Sequence, residues 1–534
     1  MGRLMRIAGS LAIVIVIAVA IAVTGAAAGT GRTLAGSVCV AHKPACFATI
    51  QAAVGAARNG DTVRIGPGTF AGGITIDVDL TLQGTGADAT VISGGSPVVT
   101  IGGADAATEP MVTLRGVTIT GGVAMTNPTD PAGIRDFGGG ILIPWAADGA
   151  TGATVTISDS VVTGNRATPT TAIPSGGAEC PDGPCPFARG DGGGIGNFGN
   201  LTLIRTILSH NVAGGPVASD AHGGGIWSAG VGTLTLKNSA VIGNRSMVGV
   251  PNGRFAIGGG VHIQDGGGLT IVNSVIDDNT ASISSIFPTG VNMLTNGGGI
   301  HVGDDSTVTI DNTRIDRNAV LLDTPNADVA GFDAGMIVGA SALVLRSSTV
   351  SDNRVVANVG SSADSGASGS ALEFGGTATI SNTRITGNTA TVTSQAGTAA
   401  TAGAVAAFAP EEALILNSVI SGNVQSASST TGPATVQGNG IVNNGVLELR
   451  NVQINDNAGT ATGPTGLAQG GGIWNGVLFN PLAVLTLVNT AVTRNTLSAS
   501  AGLTVQGGGL FTEFPVTATN SRIEHNAPDD CAGC

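Results

Sequence analysis

One phrase recurs about ten times between Asp159 and Asn526, and it limits the fold more than any other feature of the chain. It opens on a glycine triplet and an aliphatic residue, as in Gly223-Gly224-Gly225-Ile226 and Gly297-Gly298-Gly299-Ile300. It closes on a strand-like stretch ending Asn-Ser/Thr-x-Val/Ile-x-x-Asn, as in Leu234 to Asn244 and Val308 to Asn318. The closing asparagines Asn244 and Asn279, and then Asn318, Asn353, Asn388 and Asn423, stand 35 residues apart. A fixed period of this length means stacked identical units and not a closed globular core.

Within each unit the apolar positions alternate. In Leu234-Thr235-Leu236-Lys237 and in Leu485-Thr486-Leu487-Val488 residues one and three are aliphatic, as they are in Val261-His262-Ile263-Gln264. Period two with β-branched residues describes short strands with one buried face. A further strand carrying Val241, Ile276, Ile315, Val350, Ile385, Ile420 or Ile454 follows the first asparagine. Three short strands per unit, stacked in register, predict an all-β, single-stranded right-handed parallel β-helix. About fourteen coils would form a rod roughly 60–70 Å long. The paired asparagines, such as Asn238/Asn244 and Asn312/Asn318, are expected at turns, their amides bonding coil to coil. The triplets are expected at tight corners. The Ala/Thr/Ser/Gly-rich stretches after each closing asparagine, such as 389–402 and 245–257, are expected as loops forming a wall beside the glycine-led strand.

The N-terminus carries Arg3 and Arg6, an apolar run from Ile7 to Val23 and small residues to Ala28. This reads as a signal peptide over 1–28, or an uncleaved anchor, and places the chain outside the cytoplasm, secreted or at the cell surface. Segment 29–46 is expected as a disulfide-clipped lead-in, 47–120 as an N-terminal cap and first coils, 121–530 as repeats and 531–534 as a cysteine-bearing tail. The cap would be a short amphipathic helix with Ile50, Ala53, Val54 and Ala57 on one face and Gly60 as its stop. The pairs Cys39/Cys46, Cys180/Cys185 and Cys531/Cys534 suit local disulfides in an exported protein and lie too far apart in sequence to suggest a metal site. Net charge −13 argues against nucleic acid or an anionic membrane as partner, leaving the N-terminal segment, if uncleaved, as the membrane contact. A monomer without cofactor is expected.

Ala48-Thr-Ile-Gln-Ala-Ala-Val54, Asn59-Gly-Asp-Thr-Val-Arg-Ile-Gly-Pro-Gly-Thr-Phe70 and Leu80-Thr-Leu-Gln-Gly84 resemble the opening of bacterial pectin-lyase-like right-handed β-helix proteins. The later Gly-Gly-x-Ile and x-x-x-Asn units are similar to the repeats of polymorphic outer membrane proteins. They differ in having Ile or Val where that family has Phe before the Asn, and the aromatic-rich C-terminal barrel is missing. The resemblance implies the fold over about residues 45–526. It leaves activity open, because the architecture hosts lyases, hydrolases and adhesins alike.

Chemistry is expected in the column of residues that follows each glycine-led aliphatic: Leu142, Gly196, Trp227, His262, His301, Val338, Glu373 and onward to Phe511. Trp227, His262 and His301 fall on consecutive coils and should stack facing outward, as a ligand-binding face. Asp265, Asp304 and the adjacent Asp305 stand near the two histidines and complete a candidate catalytic set of His262, His301, Asp265, Asp304 and Asp305. Asp is equally a favoured turn residue in Gly/Asp-rich corners, and His and Trp are ordinary strand formers. Other carboxylates, Asp278, Asp316, Asp352 and Asp456 among them, read as scattered and solvated. No nucleophile elbow, zinc-binding helix or catalytic cysteine motif appears. The sequence therefore suggests an exported, non-catalytic β-helix surface or structural protein, adhesive or polysaccharide-binding. The alternative is a carbohydrate-active enzyme, a polysaccharide lyase or glycoside hydrolase, working in a groove along the helix.

Overall fold

In a computed structural model, residues 35–103, 109–127, 133–146, 151–170, 187–230, 232–249, 255–264, 266–284, 293–324, 329–360, 365–408, 412–477 and 483–534 are described. The expected leader 1–28, Cys180, Cys185 and Asp265 lie outside them.

The alternating stretches form the expected parallel coils. Sheet I takes 15 strands, among them Thr233–Lys237 and Gly268–Val272, and sheets II and III take 14 each, represented by Ala240–Ile242 and Val261–Ile263. Their inward Val, Leu and Ile side chains form one continuous core from Val38 to Leu510.

Each repeat, however, holds more than three strands. The segments expected as a wall of loops leave the coil after the closing asparagine and return to the glycine triplet as two further sheets. Sheet IV has 10 strands, such as Thr389–Ser394, and sheet V has 12, such as Ala399–Ala402. Together they form a flat arm along the rod. Its strands alternate as faithfully as the others, with Val424–Ser429 reading exposed, buried, intermediate, buried, intermediate, buried. The buried residues are mostly alanine and valine around a second core that includes Ala281, Val355, Ala390, Ala427 and Ala461. Small side chains suffice because two close sheets leave little space between them, and each strand's backbone is satisfied by the coils above and below.

The closing asparagines mark where coil becomes arm. Asn244 Nδ2 donates to Asn279 Oδ1 at 3.0 Å, and Asn279 donates to Asn318 and Asn318 to Asn353 at the same distance. The ladder is fully buried, and each Oδ1 also accepts the backbone N–H of the preceding asparagine. The first asparagine of each pair has the left-handed backbone its turn needs, φ 50° at Asn238 and 45° at Asn312. In the triplets only the leading glycine requires positive φ, 62° at Gly223. The third is required by space: a Cβ on Gly225 would stand 2.6 Å from the Gly260 carbonyl oxygen of the next coil.

The first coil is met by a helix, Ile50–Ala56, with Thr49 Oγ1 accepting the Ala52 N–H at 3.1 Å and Ile50, Ala53 and Val54 buried. It ends at Ala57 and not at Gly60. Gln51 pairs with the backbone of Thr75, accepting its N–H at 2.8 Å and donating to its carbonyl at 3.2 Å, much as a neighbouring strand would. Disulfides join Cys39 to Cys46 and Cys531 to Cys534. Among the described residues no helix is long and apolar enough to cross a membrane.

Candidate functional site

Strand register decides which side chains share a column of sheet III. Trp227, His262 and His301 do stack, as expected, on consecutive coils. The next member is Ile337 and not Val338, followed by Glu373. The Gly335-Met336 pair carries the sheet phase that a count from a full triplet mistakes by one residue.

The column does not face solvent. The returning strands of sheet V close over it, leaving Trp227 at 2% and His262 at 6% exposure, with His301 partly buried. At the seam the imidazoles of His222, His262 and His301 lie in one stack, with centroids 5.2 and 4.8 Å apart. His222 Nδ1 stands 3.1 Å from Asp191 Oδ1, which also accepts from Arg189 Nε at 2.7 Å, and the Arg189 guanidinium lies 5.6 Å over the Trp227 ring. Burial drives the histidines toward the neutral form: His222 is lowered, His262 is lowered well below the ordinary range and His301 falls to about 3. Burial pushes the Asp191 carboxyl up, but Arg189 and His222 outweigh it and hold the group below its usual value. On the coil after His301, Asp333 occupies a left-handed corner otherwise held by glycine, fully buried at φ 41°. Burial, then Glu373, holds its carboxyl well above the usual range. A largely buried, neutral imidazole stack suits packing between coil and arm.

Asp304 sits apart from the stack. It is exposed on the corner after Ile300–Val302, where its Oδ1 accepts the Ala340 N–H at 2.6 Å, and Asp305 takes the left-handed position of the same turn at φ 56°.

Sheet II holds a cluster that the sequence reading passed over. Asp277 and Asp316 occupy equivalent positions on neighbouring coils, each 4% exposed. Arg314 contacts both carboxylates at 3.2 Å, and Arg317 also pairs with both and with Asp278. Ser351 Oγ donates to Asp316 Oδ1 at 2.7 Å. Burial, then the Asp278 charge, raises the Asp277 carboxyl to about 6 despite both arginines. Asp316, expected to be solvated, is thus interior to an ion network. The signal was present as Asp277-Asp278-Asn279 and Asp316-Arg317-Asn318, a carboxylate at one position of two successive repeats. Farther along sheet II an open polar cavity of about 420 Å³ is lined by Asn451, Gln453, Asn489, Thr493, Arg494 and Arg522, far along the rod from both clusters. Among the described residues no three metal-ligating side chains converge.

Residues 195–405 match the family model described as a right handed beta helix region. No curated protein matches the chain in sequence. Among solved structures the chain is similar to the crystal structure of the periplasmic alginate epimerase AlgG, at 10% identity over 92% of this chain and 95% of that one, with a TM-score of 0.26. A likeness of that degree does not extend to the chemistry of a site. Parallel register through the described coils gives this chain the fold of a right-handed parallel β-helix, and the family match covers its central repeats.

Proposed function

We propose that the protein is an exported, monomeric, non-catalytic β-helix rod that binds polysaccharide or a cell-surface glycan. The observation that carries this reading is the closure of the sheet III column. The Trp227, His262 and His301 set, the histidine-rich constellation that could serve a sugar, is covered at the seam, Trp227 and His262 fully and His301 in part, and its histidines are held neutral. Export is supported by the basic-then-apolar N-terminus and by the Cys39–Cys46 and Cys531–Cys534 disulfides, which belong in an oxidising compartment. The helix Ile50–Ala56 caps the rod in this reading: its apolar face covers the first coil, and Gln51 occupies the hydrogen-bonding edge at Thr75 that would otherwise invite another strand.

A second reading, a carbohydrate-active enzyme, is favoured by one observation: the Asp277 carboxyl is raised to about 6, and a second carboxylate, Asp316, stands at the equivalent position of the next coil. One experiment separates the two. The mature protein is incubated with neutral and acidic polysaccharides, and retention and polymer length are both followed. Retention without shortening is expected. Shortening of any polymer that Asp277→Asn abolishes would replace the binding reading with the enzymatic one.

A further inference from the structure

The outward face of sheet I has a regularity that neither the ion network nor the histidine stack uses. Register places Thr113, Thr156, Thr202, Thr235, Thr270 and Thr309 in one column, each partly exposed between two buried aliphatic residues, and the same column begins two coils earlier at Thr62 and Thr81. Thr113 to Thr309 span about 24 Å at one rung per threonine. At the next coil the run stops at Val344, and farther on Leu414 and Glu448 take the position. Threonine is a good strand former and pairs well with itself across strands, so the ladder alone would mean only stability.

A second feature stands at the corner where sheet III leads into sheet I, along one edge of the column. Trp145 is 44% exposed, whereas Trp227 and Trp474 are each 2% exposed. Its ring lies 3.6 Å, centroid to centroid, from Phe198, which packs edge-on against Trp227. Phe198 stands in the corner leading into Asn200–Ile204, and the Trp145 Nε1 is 3.6 Å from where a Cβ on Gly230 would stand, in the corner leading into Thr233–Lys237. Those two strands carry Thr202 and Thr235. An apolar ring held in place by buried aromatics, half open to water, is a surface on which the C–H face of a pyranose can stack, with hydroxyl groups at regular intervals beside it. Two positions along the same strands stand Arg115, Lys237 and Asp311, of which Arg115 is paired with Asp159 and Asp311 with Arg346, so the face holds no block of one sign, and a chain of net charge −13 repels polyanions.

We infer that sheet I between Thr113 and Thr309 is a linear binding track for a neutral polysaccharide, with Trp145 as its stacking platform. This rests on the polysaccharide-binding reading above and names the face and the ligand class.

The test is affinity gel electrophoresis of the mature chain with mixed-linkage β-glucan, galactomannan, polygalacturonate and alginate, with tryptophan emission recorded alongside. Trp145 is the exposed indole of the three, so a change in emission that is lost in Trp145→Ala reports the platform. Retardation by at least one neutral polymer is expected, with a change in emission. Trp145→Ala should weaken it about tenfold, the scale of one lost aromatic stacking contact. Thr202→Val with Thr235→Val, which keeps shape and strand propensity, should weaken it severalfold. Undiminished retardation in both variants would overturn the track and leave the binding reading standing. Retardation by the acidic polymers alone would overturn the neutral class. No retardation by any of the four would overturn track and reading together.

Discussion

The coil and the arm bury their strands by opposite means. The coil packs Val, Ile and Leu from three sheets into one triangular core, while the arm closes two sheets on alanines and a few valines. Both pair parallel from coil to coil and both exclude water. The difference lies in the space each geometry leaves: three sheets meeting at corners leave a prism that large side chains must fill, and two facing sheets leave a slot that small ones fill. A core of large residues is sensitive to shrinkage and a core of small ones to enlargement.

The largest effect is expected on the line dividing the two. Removing the Asn318 side chain takes the acceptor from the Asn279 N–H and from Asn279 Nδ2, and a donor from the Ile276 carbonyl, all of them buried. Asn318→Ala should cost roughly 3–5 kcal/mol, since each buried group left unsatisfied costs about 1–3. A fall in the urea midpoint no larger than that of an exposed substitution would mean that water replaces the ladder, and that coil and arm are not hinged by it.

The contrast itself is sharpened by a reciprocal pair. Leu345→Ala, at a position with no exposure, should cost about 2–5 kcal/mol through the cavity it leaves in the coil. Ala427→Leu in the arm should cost roughly 1–3 kcal/mol by overpacking, although it adds apolar surface. Should Ala427→Leu stabilise the protein, the slot is looser than its alanines suggest and the two cores do not differ in kind.

The same contrast explains what could be read in the sequence. Leu234-Thr235-Leu236 announces a strand because its large residues alternate with a polar one, and the whole coil follows from such triplets. Thr389 to Ser394 alternates just as strictly in space, but Ala, Thr, Val and Ser look alike in a loop and in a slot between sheets. Missing the arm turned the site inside out. Trp227, His262 and His301 were correctly stacked by the repeat, yet their exposure depended on a layer whose strands carry no large residues. Asp277 and Asp316 failed for another reason: their equivalence was legible, but the arginines that draw them inward come from positions that differ between the two repeats.

The seam where the arm covers the coil should reveal itself in acid. His301 is near 6.5 in an unfolded chain and about 3 in the folded one, because burial disfavours its charge. Below 6.5 the unfolded state therefore binds the proton first, and stability falls as pH drops from about 6.5 toward about 3. Asp277, raised to about 6, acts in the opposite sense: the folded state takes up its proton first, so folding gains as pH falls from about 6 toward 3.8. His301→Val, apolar like Ile337 in the next coil, should flatten the acid-side slope of thermal midpoint against pH, whereas Asp277→Asn should steepen it. Equal slopes in His301→Val and the parent protein would mean that the seam is wet and the arm does not seal the column.

The smallest effect belongs to the residue the sequence placed nearest to catalysis. Asp304 Oδ1 accepts the Ala340 N–H from an exposed corner outside both cores. Removing a solvent-accessible acceptor lets water take its place, so Asp304→Ala should lower stability by only about 0.5–1 kcal/mol. Because the corner lies outside the seam, the substitution should leave the acid-side slope unchanged and the retention of polysaccharide nearly so. A complete loss of some polymer-cleaving activity, with the thermal midpoint intact, would contradict this and return the chemistry to the sheet III corner. A graded loss of retention would instead extend the binding surface around that corner. Asp304 faces solvent while His301, three residues before it, is partly covered and stacked on His262, so the outcome depends on where each residue lies relative to the covering layer and not on how close they are along the chain.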